Sequence, residues 1–569
     1  MGMRVTPKSE QLPINVVGSS SFGMYPKISL EKTYNMYESD GYLVPFPGYH
    51  KALELAANGV EGRGLFRSFR GDRMIAVVDS NVYEINTFLS PRLVGTLDTQ
   101  SGEVFMDENL TGQICIVDGL KIYIYNWFTG SGVVPQTGGV LNGAPPDLVP
   151  SYVTYHNTFF LIGNSPTANG SRSSVGYAYF PDSATTIIVN SSFSLEIKPD
   201  DLIAIKRIPG QSSNILAFGG SVCGVYSQVG GLDGFGIPQD YQLNKSISID
   251  YGCLSSATIA ANDTHIAWLG INEANLPVIM VMTGQSVSRI STDGIDYLLQ
   301  NLVHPEQSTA MMYRINGHLF YHLTFFYQTK DGSPEDNVTL IYDFNNEKFY
   351  HLSDQNLNFH PARQLVFFNT DSRYVTELDG INQNIFFIAK KGGAIYQLNQ
   401  KFYDINEDIN TDLTAGTDPN LRYEMQRIRI CKSVKMPTSA PFKVNQLCFT
   451  IEMGMDTEEA VQDCLILMIT EDNIRMFSES PDYRQLVPER HGQEDCAAQP
   501  YRGRIDLAVS KDSTESYSNY VPRWMNTQGN SKNILRWNKM GRVNDFTPKI
   551  RFWTLGRIVA TDGYVEVTP

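Results

Sequence analysis

His318 and His322, four apart in GHLFYH, have the spacing at which a helix turns two imidazoles to one face and holds a metal ion. Their neighbours Leu319, Phe320, Tyr321 and Leu323 favour a strand, where the two rings share a face but stand about 13 Å apart. With no third ligand at a matching spacing, both are expected to be ordinary hydrogen-bonded or exposed histidines. Paired acids occur at Asp200-Asp201 and Glu335-Asp336, with Asp472 further on. Glycoside cleavage needs two carboxylates about 5–9.5 Å apart around a sugar, but turn-forming neighbours make these solvated loop acids. The glycine-rich runs GVEGRG (59–64) and GGLDGFG (230–236) lack the strand-to-helix setting that cradles a phosphate. There is no GxxxxGK[ST] loop and no GxSxG elbow, GSSSFG (18–23) being the nearest approach. No catalytic, cofactor-binding or metal-binding residue is therefore expected.

Chemistry of another kind concentrates near the C-terminus. Lys532, Arg536, Lys539, Arg542, Lys549, Arg551 and Arg557 stand among few acids, with Trp537 and Trp553 interleaved. Such a stretch suits either phosphate contacts or docking to an acidic partner, against the plain alternative of a strand pair with solvated cations.

The elements that must position these residues follow from a repeat. MIAVVDSNVYEI (74–85) and ICIVDGLKIYIY (114–125) are an apolar run, a tight turn and an alternating return. The theme recurs from Phe159, Ile215, Ile266, Leu319 and Ile385, with starts roughly 40 to 66 residues apart, the length of a propeller blade with insertions. Turns at Asp-Ser-Asn, Asp-Gly, Gly-Gly or Lys-Gly-Gly supply the positive φ that a hairpin needs. One such hairpin cannot bury its apolar face alone, whereas several arranged radially cover one another. The first, IAVVDSNVYEI, is expected to form an inner-strand turn. The expectation is an all-β chain: a β-propeller of about six or seven blades, plus a second β-rich platform domain formed by the N-terminal arm and the C-terminal region.

Residues 1–55 are the arm, 56–402 the propeller and 403–569 the rest of the platform. FYDINEDINTDLTAGTDPN (402–420) reads as a linker, and RIRICKSVKM, FKVNQLCFTIEM, CLILMITEDNIRMFSES and KIRFWTLG read as strands beyond it. Pro481 to Asn533 reads as a long loop, and IDYLLQNLV (295–303) as the clearest helix, with Ile295, Leu298, Leu299 and Val303 on one face.

Bulk composition narrows the function classes. The 569 residues carry a formal net charge of −15, which argues against gripping nucleic acid through clustered cations. The chain has seven scattered cysteines (Cys115, Cys223, Cys253, Cys431, Cys448, Cys464, Cys496) and no CxxC pair, so they read as buried small hydrophobes made in a reducing cytoplasm. The first residues lack the apolar core of a secretory signal, and no apolar run is long enough for a membrane span.

TYNMYESDGYLVPFPGYHKAL (33–53), followed by GVEGRGLFRSFRGDRMIAVVDSNVYEI (59–85), resembles the start of the packaged-DNA stabilisation proteins of short-tailed phages, also called tail accessory factors, tail hubs or nozzles. The residues that carry the likeness are Asn35, Gly41-Tyr42, Pro47-Gly48 and Arg63-Gly64. It continues through VTLIYDFNNEKFYHL (338–352), LMITEDNIRMFSESPDYRQL (467–486) and LRWNKMGRVNDFTPKIRFWTLG (535–556). A Trp is common in the family where Phe349 and Tyr350 stand here, and this chain is longer near 326–336 and 480–530.

The resemblance implies a virion protein made in the host bacterial cytoplasm, without enzymatic activity or cofactor. It implies a homo-oligomeric ring, a hexamer, below the portal and its adaptor ring. That ring continues the channel for double-stranded DNA, retains the genome, and carries a needle or plug and tailspike or fibre proteins. Asn35, Tyr42, Pro47, Gly48, Arg536, Trp537, Lys539 and Arg542 become candidates for the adaptor or subunit interface. An acidic chain suits a channel through which DNA slides, and the basic C-terminal patch suits an acidic adaptor surface. The alternatives are a glycan-binding or glycan-cleaving propeller, with a carboxylate pair near its axis, and a monomeric cytoplasmic scaffold.

Overall fold

The structure is a computed structural model. It describes residues 9–23, 31–56, 59–126, 134–135, 150–164, 175–183, 186–195, 197–198, 200–232, 238–328, 336–370, 385–400, 402–407, 422–436, 440–453, 466–469, 475–478, 504–512, 516–525, 532–553 and 558–569. The chain divides into two compact units. One comprises Ala52–Glu347 and His360–Gln397; the other comprises Met1–Lys51, Lys348–Phe359 and Leu398–Pro569. The expected propeller span, 56–402, thus has a detour at 348–359 that belongs to the other unit.

The first unit is a β-propeller of sheets whose core strands are antiparallel and follow one another in sequence, except that the last sheet also takes in the early strand Tyr49–Glu54. Gly62–Arg67, Arg73–Val78, Asn81–Asn86 and Pro91–Thr96 form the first sheet. Further sheets begin at Phe105, Pro150 and Leu202, the next gathers around His265–Ile271, and the last two are built on Thr309–Ile315 and Ala362–Phe367. Every repeat recognised in the sequence is the second strand of its sheet, running into the third. IAVVDSNVYEI is therefore not an inner turn. The strands that meet their counterparts around the ring are the first ones, from Gly62–Arg67 through Phe105–Glu108, Pro150–His156 and Leu202–Arg207.

Packing explains why the second strands are apolar on both faces. Ile75 and Val77 pack with Ile114, Ile116, Tyr123 and Tyr125 of the second sheet. Met74, Ala76 and Val78, on the opposite face, pack with Val366, Phe386, Ile388 and Ile395 of the last sheet. Comparable clusters join the second sheet to the third and the fourth to the fifth. At the two-residue turn between Ile315 and His318, Asn316 and Gly317 have φ of 50° and 83°, the geometry that matches strand twist.

The ring closes through residues far apart in sequence. Ala362–Phe367 contacts Gly62–Arg67. Leu55 N donates to Gly393 O at 2.8 Å, Gly392 N donates to Val60 O at 3.0 Å, and Glu61 bridges to Lys391.

The second unit is a platform of β-strands contributed by both ends of the chain. Glu10–Ile14 pairs with Ile558–Thr568, which pairs with Phe442–Met453, which pairs with Lys532–Val543. A second layer runs from Lys32–Tyr34 through Arg427–Ile430 and Thr547–Trp553 to Arg504–Ser510 and Val521–Trp524. Val444, Leu447, Phe449, Leu535, Val565 and Val567 of the first layer share one core with Ile505, Leu507, Ile550 and Phe552 of the second.

Several expectations change here. Arg504–Ser510 and Val521–Trp524 are strands inside the supposed 481–533 loop, and Asp404–Asn406 is a strand at the head of the supposed linker. The helix is Asp293–Leu299, capped by Thr292, and the chain is already extended at Leu302–Val303.

Candidate functional site

His318, His322, Asp200 and Asp336 serve the fold. His318 Nδ1 lies 2.8 Å from Asp343 Oδ2, and the other Asp343 oxygen accepts from Asn345 N at 2.9 Å. His322 Nδ1 lies 3.0 Å from Tyr313 Oη, and burial holds this imidazole well below its usual pKa, so it is neutral. Asp200 Oδ2 accepts from Ser221 N, Ser221 Oγ and Val222 N, which caps a hairpin. Asp336 accepts from Tyr327 Oη at 3.1 Å, while Glu335 and Asp472 lie outside the described residues. Among the described residues there is no cluster of three or more His, Cys, Asp or Glu side chains able to hold a metal, and no helix long and apolar enough to cross a membrane.

The interface candidates divide sharply. Asn35 is fully buried, with its side-chain amide donating to Ser353 Oγ and Gln426 O at 2.8 Å and its oxygen accepting from Ser353 N at 2.8 Å. Pro47 and Gly48 are buried as well. Gly48 N donates to Phe402 O at 2.6 Å, and a Cβ at this position would stand 2.0 Å from Asp404 O. The Pro-Gly step is thus a close backbone crossing. Tyr42, beside the Asp40-Gly41 turn, remains 39% exposed.

In Lys532–Val543, side chains alternate between solvent and core. Arg536, Lys539 and Arg542 face solvent, whereas Trp537 is 3% exposed. Its ring stacks on Phe449 at 5.5 Å, and its Nε1 donates to Val521 O at 2.9 Å. Trp537 is therefore a core residue of the chain.

The sequence marks Lys549, Arg551 and Trp553 but not the Arg504, Asp506, Tyr517, Tyr520 and Trp524 that join them in a strip on the face of the second layer away from its core. Register sets Arg504 directly opposite both Trp553 and Trp524. Its guanidinium lies 5.5 Å from the Trp553 ring and 5.7 Å from the Trp524 ring. In the next row Arg551 lies opposite Asp506, 4.1 Å from the Tyr520 ring and 4.5 Å from the Trp553 ring. Lys549 follows, 5.3 Å from Tyr517 and 6.0 Å from Tyr520. Asp506, almost fully buried, accepts from Arg551 at 2.7 Å and from Trp553 Nε1 at 2.8 Å. Burial, with the Arg551 charge beside it, lowers the Lys549 pKa. The alternation in KIRFW and RIDLAV carried the signal, but only the pairing of the two strands makes a surface of it.

The sequence matches the Phage_stabilise family, described as bacteriophage P22 Gp10, beta-propeller, over residues 24–329. No curated protein matches the chain. Among solved structures it is similar to a streptogramin B lyase, at 12% identity over 61% of this chain and 95% of the other, with a TM-score of 0.36. The virginiamycin B lyase of Staphylococcus aureus is similar at 12% identity over 61% and 97%, with a TM-score of 0.37. The WD40 domain of Neurospora crassa Pan2 is similar at 8% identity over 60% and 89%, with a TM-score of 0.35.

Proposed function

The chain belongs to the phage stabilisation family of bacteriophage P22 Gp10, and on that premise we propose that it is the ring-forming hub, or nozzle, of a short phage tail. In this reading it is a structural virion protein without enzymatic activity, made in the host bacterial cytoplasm. Six copies form a ring below the portal and its adaptor, continue the DNA channel, hold the packaged genome, and carry needle or plug and tailspike or fibre proteins. Each sheet of the first unit is one blade; residues 1–55 are the arm, 56–402 the propeller apart from the detour at 348–359, and 403–569 the rest of the platform.

The observation that carries the reading is the family match, which runs from the arm through most of the propeller. Two features support it. Of the carboxylates first considered for catalysis, Asp200 and Asp336 are absorbed into hydrogen bonds of the fold. The net charge of −15 suits a channel that phosphates pass without being gripped. Arg536, Lys539, Arg542 and Tyr42 remain as surface candidates for adaptor or neighbour contacts, whereas Asn35, Pro47, Gly48 and Trp537 act by shaping the platform.

Negative-stain electron microscopy of the purified protein, alone and with tails lacking it, tests this directly. Closed rings, or rings that form only on the tail, are expected. Particles that stay monomeric under both conditions would contradict it.

A further inference from the structure

The Arg504–Arg551–Lys549 strip has the makeup of a binding surface rather than of a solvated strand pair. Solvated cations extend into water independently of one another. Here three are fixed against four rings, with one carboxylate, Asp506, set beneath them. At its margin Trp524, directly opposite Arg504 on the terminal strand of the layer, is 61% exposed. Exposed Trp beside ordered Arg is the composition of protein-interface hot spots, and pre-ordered guanidiniums lose little entropy when they bind carboxylates.

Nucleic acid fits less well. Stacking of bases needs free ring faces, and the Tyr520 and Trp553 rings already carry guanidiniums. We infer that this strip docks an acidic peptide segment of a partner protein, with carboxylates on Arg504, Arg551 and Lys549 and an apolar side chain on Trp524. The inference rests on the reading of the platform as a docking element, yet the two fail separately: a ring could form and hold DNA without this strip binding any acidic segment.

The test is fluorescence anisotropy on the full chain with a short labelled peptide alternating Glu and Leu, a Lys-for-Glu counterpart, and a labelled DNA duplex. Saturable binding of the acidic peptide alone is expected, weakened by salt and by ~tenfold or more in Trp524→Ala. Lys549→Gln should weaken it as well, with the melting temperature of both variants unchanged. Absence of saturable peptide binding, preference for the duplex, or equal affinity in both variants would overturn the inference. So would self-association of the wild-type chain that Trp524→Ala abolishes, since the occupant would then be a second copy.

Discussion

The Arg363 guanidinium donates to Glu61 Oε1 at 2.6 Å across a sequence separation of 302 residues, joining the last sheet of the propeller to the entry of the first. The same side chain, 3% exposed, reaches Glu103 Oε1 at 2.6 Å and Gly62 O at 2.7 Å. Burial acts to lower its pKa, but Glu103 and Glu61 together hold it above the usual arginine value. This ion pair is one of the contacts through which a linear run of hairpins becomes a closed ring.

Arg363→Ala should therefore destabilise the protein by about 3–5 kcal/mol, because it leaves two carboxylates without their buried partner. Urea unfolding measures this, and Glu61→Gln combined with Arg363→Ala should lose less than the sum of the two single changes.

Gly48→Ala should cost about 1–3 kcal/mol through overlap with the Asp404 carbonyl, whereas Tyr42→Ala on the nearby turn should change stability by less than about 0.5 kcal/mol. Thermal melts of both variants separate a residue that builds the platform from one that only decorates it.

Trp537→Ala removes a buried ring and should cost about 3–5 kcal/mol, while Trp524→Ala should leave stability nearly unchanged. The same pair distinguishes core from surface in the region that the sequence marked only as basic and aromatic.

Stability should fall on acidification. Burial pushes the pKa of His351 and of His360 down to about 3, against about 6.5 in the unfolded chain. Between those values the unfolded state binds more protons, so stability decreases as pH falls, by about 2 kcal/mol for each histidine at pH 5. Urea midpoints measured between pH 7 and 5 test this, and His360→Gln should make the dependence shallower.

Cys115, Cys223, Cys253, Cys431 and Cys448 are buried free thiols, and burial pushes the Cys253 thiol up to about 12. These five should resist iodoacetamide in the native protein and react on unfolding, as read by mass spectrometry.

The legible part of the fold was the part with local pattern. Apolar second strands such as Arg73–Val78 announce themselves because both faces are covered, and Phe442–Met453 was bounded by its alternation. First strands such as Gly62–Arg67 carry Gly and Arg, because close packing and buried hydrogen bonds shape them as much as apolar burial does. The detour at 348–359 was invisible, since KFYHL reads like any other strand of the repeat. Asn35 and Pro47-Gly48 stood out as unusual residues, and they are unusual for structural reasons. The cation–aromatic strip depends on Arg504 lying opposite Trp553 and Trp524, a register that no local window contains.

The proposed role of the ring is to retain packaged DNA. It is tested most directly by producing particles with and without the protein and measuring the DNA each population holds. Particles lacking it are expected to fill and then lose their genome, and purified protein added before leakage should preserve it. Particles that keep a full genome without the protein would rule out this role.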